Sequence, residues 1–146
     1  MRVEEMKMIK EACTVIFLGI SGWLDWKTKQ ISLVLTGIYG AAGLMNSCLE
    51  GRRWEDFIFP AGIGLLFLLL SLAAEGVVGM GDGWVLLSLG CMLETDAYIR
   101  LFGCGILLAA VFSGVLMVGY KKRRNMEIPF VPFLFWGYLG GVLLWK

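Results

Sequence analysis

The sequence predicts an all-α membrane protein built from about six transmembrane helices. Hydrophobic residues make up 58% of the chain and charged residues only 17%, whereas soluble domains have about 45–50% apolar and about 25% charged residues. The apolar residues are also grouped into runs that short polar connectors separate. We therefore expect a single membrane-embedded domain over residues 1–146.

The first apolar run, Ala12 to Leu24, is shorter than the roughly 20 residues that cross a bilayer. It can span the membrane if Met6, Met8 and Ile9 extend it toward the N-terminus while neighbouring lysines snorkel. It ends in the segment Trp23-Leu24-Asp25-Trp26-Lys27, whose tryptophans are typical of a membrane interface. The mixed charges before it are unlike a cleavable signal peptide, so we expect this start to be retained.

Ile31 to Leu49 and Phe57 to Ala74 are the second and third predicted spans, joined by a polar connector that we interpret as a solvated loop. Small residues on one helix face favour close packing on a neighbouring helix. Three glycines of the second span have this spacing: Gly37, Gly40 and Gly43.

A glycine-rich turn, Gly79-Met80-Gly81-Asp82-Gly83, precedes the fourth apolar run, Trp84 to Leu93. That run is too short to cross alone, so we expect a short fourth helix that begins within the membrane's depth. Irregular backbone at that depth is tolerated only where it is buried or lines a cavity. We expect the three glycines to adopt backbone angles closed to other residues and to admit a substrate main chain.

Leu101 to Tyr120 and Ile128 to Trp145 are the fifth and sixth predicted spans, and Glu94 to Arg100 is the connector before the fifth. Six spans put both chain ends on one side of the membrane. Asp25, the glycine-rich turn with Asp82 and the basic run at residues 121–124 then lie on the other side. The basic residues divide almost evenly between the sides, so the run Lys121-Lys122-Arg123-Arg124 decides the orientation. The positive-inside rule makes its side, which is also that of Asp25 and Asp82, cytoplasmic.

Asp25 and Asp82 are the candidate catalytic residues. An ionisable group in a membrane segment is costly and indicates function, and the absence of histidine excludes serine–histidine and cysteine–histidine catalysis. Two close carboxyl groups cannot both ionise easily, so they share one proton and can activate a water molecule. Helix dipoles favour Asp82 as the anion and Asp25 as the acid, an assignment that can be inverted in a coupled pair.

Other interpretations of these aspartates stay open. Asp82 can be a helix N-cap, and Asp25 can pair with Lys29 one turn along a helix. A non-enzymatic transport or assembly component could also use both aspartates to bind a proton or a cation. The four cysteines have no CxxC spacing, so we interpret them as small buried hydrophobic residues and expect no metal or cofactor.

Three motifs resemble those of the type IV prepilin peptidases, which are GxGD membrane aspartic proteases of the A24 group. Gly79-Met80-Gly81-Asp82 resembles the GxGD signature, and Asp25-Trp26-Lys27-Thr28-Lys29-Gln30-Ile31 resembles the motif of the first aspartate. Ile128-Pro129-Phe130-Val131-Pro132-Phe133 resembles the motif of the last helix. Two departures are Trp84, where the family usually has lysine, and Ser32-Leu33, where it has Pro-Asn.

The resemblance implies an inner-membrane protease that cleaves the basic leader of prepilins or pseudopilins after a glycine, with both aspartates near the cytosolic face. Such substrates belong to type IV pilus and protein-secretion systems. It assigns substrate binding or loop shaping to Gly79, Gly81, Gly83, Lys27, Lys29 and Pro129. It also implies a short form without a methyltransferase region and no nucleic-acid partner. Presenilin-like GxGD enzymes are a second possibility, but they place the first aspartate mid-helix beside a tyrosine.

Overall fold

A computed structural model of the chain describes residues 3–28, 30–73, 80–119 and 130–144. In these ranges the chain forms six α-helices and no strand, which confirms the all-α prediction. The helices are α1 (Val3–Thr28), α2 (Leu33–Leu49), α3 (Glu55–Ala73), α4 (Met80–Met92), α5 (Thr95–Gly119) and α6 (Val131–Leu144).

The core of the bundle lies along its two shortest helices, α4 and α6. α4 packs mainly against α2 and α3, while α6 packs against both α1 and α5. Val85, Leu86 and Leu89 of α4 are fully buried, as is Leu134 of α6. The ends of α4 are therefore held in place by helices on both sides.

The close packing that the α2 glycines predict is confirmed at the interface with α4. A Cβ atom at Gly43 would lie 2.9 Å from the backbone nitrogen of Met92, and one at Gly40 would lie 3.4 Å from Oγ of Ser88. Gly37, by contrast, has no neighbour within 4 Å of such an atom. Two of the three glycines thus let the backbones of α2 and α4 approach each other.

Four helices begin earlier than their apolar runs, among them α3, which begins at Glu55. α1 begins at Val3 and α5 at Thr95, so residues that we assigned to a polar start and a polar connector are helical. α4 already includes Met80. Polar residues do not end a helix when no glycine or proline follows them, and acidic residues such as Glu4 and Asp96 suit a first turn because of the helix dipole.

Within the described ranges, two helices are long and apolar enough to cross a membrane, namely α3 and α5. Most of their length faces outward, since only 11% of the apolar window of each is buried in the bundle. α2 and α6 are apolar but shorter. Outward-facing apolar helices of this kind belong to a membrane protein, whereas the six-span topology stays a prediction.

The four cysteines are free thiols, and the expectation that they are buried is wrong. Cys13 and Cys48 are exposed, and Cys91 and Cys104 are partly exposed. In a bundle whose outer surface is apolar, a small weakly polar thiol can lie on the outside as readily as in the core.

Candidate active site

Asp25 lies in the last turn of α1, where α1 meets the start of α6. Its side chain is buried, with 7% of its surface exposed. The backbone N–H of Val131 donates a hydrogen bond to Oδ2 of Asp25, with an N–O distance of 3.3 Å. A Cβ atom at Gly22 would lie 3.4 Å from Cα of Pro132, so the two helices are in contact just above this bond. Asp25 therefore faces the N-terminal end of α6.

Asp82 lies in the first turn of α4 and is half-buried. Among the described charged groups, Asp25 lies close enough to Asp82 to act on it electrostatically, so the two predicted aspartates lie at the same end of the bundle. Each aspartate thus lies near the start of a helix, where partial positive charge favours an anion.

The glycines beside Asp82 differ from the expectation. Gly81 and Gly83 are helical, and the only glycine with positive φ in the described ranges is Gly51. The prediction that they form a turn with unusual backbone angles is therefore wrong. A Cβ atom would lie 2.7 Å from Cδ1 of Ile31 at Gly81 and 2.7 Å from Cγ of Leu68 at Gly83. They are required because neighbouring segments approach α4 closely.

Lys27 is exposed at the end of α1, two residues after Asp25. Its ammonium nitrogen lies 6.0 Å from the centroid of the Trp23 ring, at the limit of a cation–π contact. Lys27 is therefore at the same end of the bundle as the aspartates and is accessible to a partner. Gly79, Lys29 and Pro129 lie outside the described residues, and so does the predicted pairing of Asp25 with Lys29.

Two contributions were missed by sequence reasoning. The first is the Val131 N–H, for which residue type gives no signal, since any residue except proline offers one. Its position within the proline-containing motif, at the residue where α6 begins, is the available signal. The second is Arg52, which lies in the connector that we interpreted as a solvated loop. Its guanidinium group donates hydrogen bonds to the carbonyl oxygens of Gly90 and Cys91 at the end of α4.

No group of three potential ligands among the described histidine, cysteine, aspartate and glutamate side chains is arranged to hold a metal ion. The chemistry available from the residues themselves is that of two interacting carboxyl groups. Such a pair can accept and donate a proton in one reaction, as general base and general acid.

Comparison with known proteins identifies a family. The type IV leader peptidase family matches residues 12–119, a segment that includes Asp25, Asp82 and helices α2 to α5. No curated protein and no solved structure is significantly similar to the chain. The family match covers well over half of the sequence and agrees with the motif resemblance, so this chain belongs to the type IV leader peptidase family.

Proposed function

We propose that the protein is a membrane aspartic endopeptidase that removes the basic leader from prepilins or pseudopilins at the cytoplasmic face of the inner membrane. The observation that carries the proposal is the approach of Asp25 and Asp82 in a member of a leader peptidase family.

The reaction needs one proton on the pair. Because two neighbouring carboxylates repel each other, the pair carries one negative charge and one proton between them. The ionised carboxylate takes a proton from water as the water oxygen attacks the peptide carbonyl. The protonated carboxyl group donates its proton to the carbonyl oxygen, and proton transfer to the amide nitrogen then allows the C–N bond to break.

The starts of α4 and α6 supply positive partial charge for this shared anion. Asp82 lies within the first turn of α4, and Asp25 accepts the hydrogen bond from Val131. The α1 dipole alone, which favours a protonated Asp25, is thus opposed by the α6 end. We therefore assign the proton to the pair rather than to one residue.

Trp84 replaces the lysine that is usual in the family, and its helical position limits the consequence. Residues two apart on a helix do not face each other, so the side chain of residue 84 points away from that of Asp82. Trp84 is 44% exposed. The replacement therefore alters an outer surface of α4. It does not remove a side chain that contacts the carboxyl pair.

The proposal is tested with the full chain in detergent and a synthetic prepilin peptide that includes the leader. Asp25→Asn and Asp82→Asn should each lower the cleavage rate about 10²–10⁴-fold, the usual contribution of one acid–base group. Asp96→Asn is the matched control, because Asp96 is an exposed aspartate in the first turn of α5.

Full activity in either Asp25→Asn or Asp82→Asn would overturn the proposal. Ion or proton flux that depends on both aspartates, without peptide cleavage, would instead identify a transport component. Thermal unfolding of each variant distinguishes lost chemistry from lost folding.

A further inference from the structure

A cavity of about 270 Å³ opens at the end of the bundle remote from the two aspartates. The start of α1, the α4–α5 junction and the second half of α6 line it. Since an α-helix rises about 1.5 Å per residue, Lys7 in the wall and Asp25 lie about 27 Å apart along α1. That distance is close to the thickness of a bilayer's hydrocarbon core, about 30 Å. The cavity is therefore separate from the candidate active site.

Charges of both signs line the cavity. The basic residues are Lys7, Lys10 and Arg100, and the acidic residues are Glu11 and Glu94. Lys10 also forms an ion pair with Glu50, with an N–O distance of 2.5 Å. A ligand with a single charge would be attracted by one part of this wall and repelled by another, so the wall is complementary to a small zwitterion.

The cavity has room for a headgroup and no more. Its volume lies just below the range of about 300–1,000 Å³ that holds drug-sized ligands. Gly141 of α6 is one of the residues that line the cavity. A Cβ atom at Gly141 would have no neighbour within 4 Å. A phosphate with a short amine arm fits this space, whereas acyl chains must lie outside it.

α5 connects the cavity with the surface that faces lipid. Arg100 lies in its second turn, and the apolar side chains of Ile106 and Leu107, which are exposed, follow in the next two turns. An acyl chain packed on these residues would bring its headgroup to the level of Arg100. Arginine near the end of a membrane helix reaches toward the interface in this way.

We propose that this cavity binds the headgroup of an aminophospholipid of the phosphatidylethanolamine class. The phosphate lies against Lys7 and Arg100, and the primary ammonium donates hydrogen bonds to Glu11 and Glu94. The acyl chains lie on the apolar surface of α5. A primary ammonium has three N–H donors, whereas the quaternary ammonium of phosphatidylcholine has none, so the two carboxylates distinguish these lipids.

Native mass spectrometry of the detergent-solubilised full chain tests the proposal with three added lipids: phosphatidylethanolamine, phosphatidylcholine and phosphatidylglycerol. We expect phosphatidylethanolamine to bind at least tenfold more tightly than phosphatidylcholine. The double variant Glu11→Gln/Glu94→Gln should remove this preference. Lys7→Gln/Arg100→Gln should weaken the binding of both phosphatidylethanolamine and phosphatidylcholine. The control Glu4→Gln/Glu55→Gln changes two exposed acids outside the cavity and should bind as the unmodified chain does.

Equal binding of phosphatidylethanolamine and phosphatidylcholine would overturn the proposal. The proposal would also be overturned if phosphatidylglycerol bound more tightly than phosphatidylethanolamine and if its affinity rose further in Glu11→Gln/Glu94→Gln. The two carboxylates would then only repel an anionic lipid.

A second comparison tests the cavity without changing charge. Gly141→Leu places a side chain in the cavity wall, whereas Gly140→Leu adds the same side chain at a neighbouring glycine outside that wall, also with no atom within 4 Å. Gly141→Leu should lower phosphatidylethanolamine binding at least tenfold, and Gly140→Leu should not. Equal binding by both would contradict a site in the cavity, provided that both variants unfold at the temperature of the unmodified chain.

Discussion

Asp25 and Asp82 each lie close to the N-terminal end of a helix, but only for Asp25 is that helix distant in sequence. The Asp25 carboxylate accepts a hydrogen bond from Val131, a residue more than a hundred positions away. Asp82 lies at the N-terminal end of its own helix, α4, where the helix dipole places partial positive charge. One negative charge on the pair is thus stabilised from two directions, which suits a pair that must be half-protonated to act.

The placement of Asp25 and Asp82 at one end of the bundle could be predicted from the sequence, but the reason for the glycines beside Asp82 could not. An aspartate beside an apolar run is conspicuous because its burial is costly. Gly81 and Gly83 were expected for their backbone freedom, and the structure assigns them to close packing instead. Ile31 and Leu68, the residues that require this, are far from the glycines in sequence and give no local signal.

The packing at Gly81 gives a prediction at this scale. Gly81→Ala should lower the free energy of unfolding by about 1–3 kcal/mol, the usual cost of overpacking, and should lower cleavage by displacing Asp82. The added Cβ would lie 2.7 Å from Cδ1 of Ile31. Since Ile31→Ala removes that atom, the double variant should recover part of both losses.

The pair Gly83→Ala and Leu68→Ala is compared with the pair Gly81→Ala and Ile31→Ala. In each double variant one contact of 3.0 Å remains, to Cβ of residue 31 in the first pair and to the backbone nitrogen of Leu68 in the second, so we expect partial rescue in both. Thermal unfolding and peptide cleavage measure both pairs. No rescue in either pair would contradict the contacts described here.

At the scale of elements, α4 is capped at its C-terminal end, opposite the turn that carries Asp82. Its last carbonyl groups accept hydrogen bonds from side chains of the α2–α3 region. Oγ of Ser47 donates to the carbonyl oxygen of Cys91 at 2.7 Å, and Arg52 donates to that of Gly90 at 3.2 Å. These bonds satisfy carbonyl groups that every helix leaves without an internal partner.

Arg52→Gln tests the contribution of this cap. Hydrogen bonds to a charged group contribute about 1.5–3 kcal/mol each, and part of that is offset here because Arg52 is partly exposed to solvent. We expect a loss of about 1–2 kcal/mol in the free energy of unfolding. Arg53→Gln is the matched control, since Arg53 is the exposed neighbour. Equal losses in both variants, measured by thermal unfolding in one detergent, would show that Arg52 is no more than a surface charge.

The six helices were predicted, but four of them begin earlier than their apolar runs. An apolar run identifies the part of a helix that faces lipid or core, so it leaves out polar turns such as Thr95 to Arg100. Ser32 is a better boundary signal, because its hydroxyl group accepts a hydrogen bond from the N–H of Leu35 and caps α2. Capping residues therefore locate helix ends more closely than hydrophobicity does.

At the scale of the whole molecule, the length of α4 decides where the chemistry can occur. A helix of 13 residues is about 20 Å long, against about 30 Å for the hydrocarbon core of a bilayer. If its capped end lies near one membrane surface, Asp82 lies about 10 Å below the other. Water must therefore enter the bundle at this end for hydrolysis to take place. Exposed Lys27 and the burial of Asp25 are compatible with a polar depression there.

The topology itself can be tested with single cysteines at exposed positions, after the four native cysteines have been replaced by alanine. Glu4→Cys, Thr28→Cys and Glu94→Cys are labelled with a membrane-impermeant maleimide in spheroplasts and in inverted vesicles. Under six spans, residues 4 and 94 lie on the outer side and residue 28 is labelled only from the cytoplasmic side. If only α3 and α5 crossed the membrane, residues 4 and 28 would share a side and residue 94 would lie opposite. The six-span result would place Asp25 and Lys27 where a basic leader leaves the cytoplasm, and the second pattern would rule out that entry route.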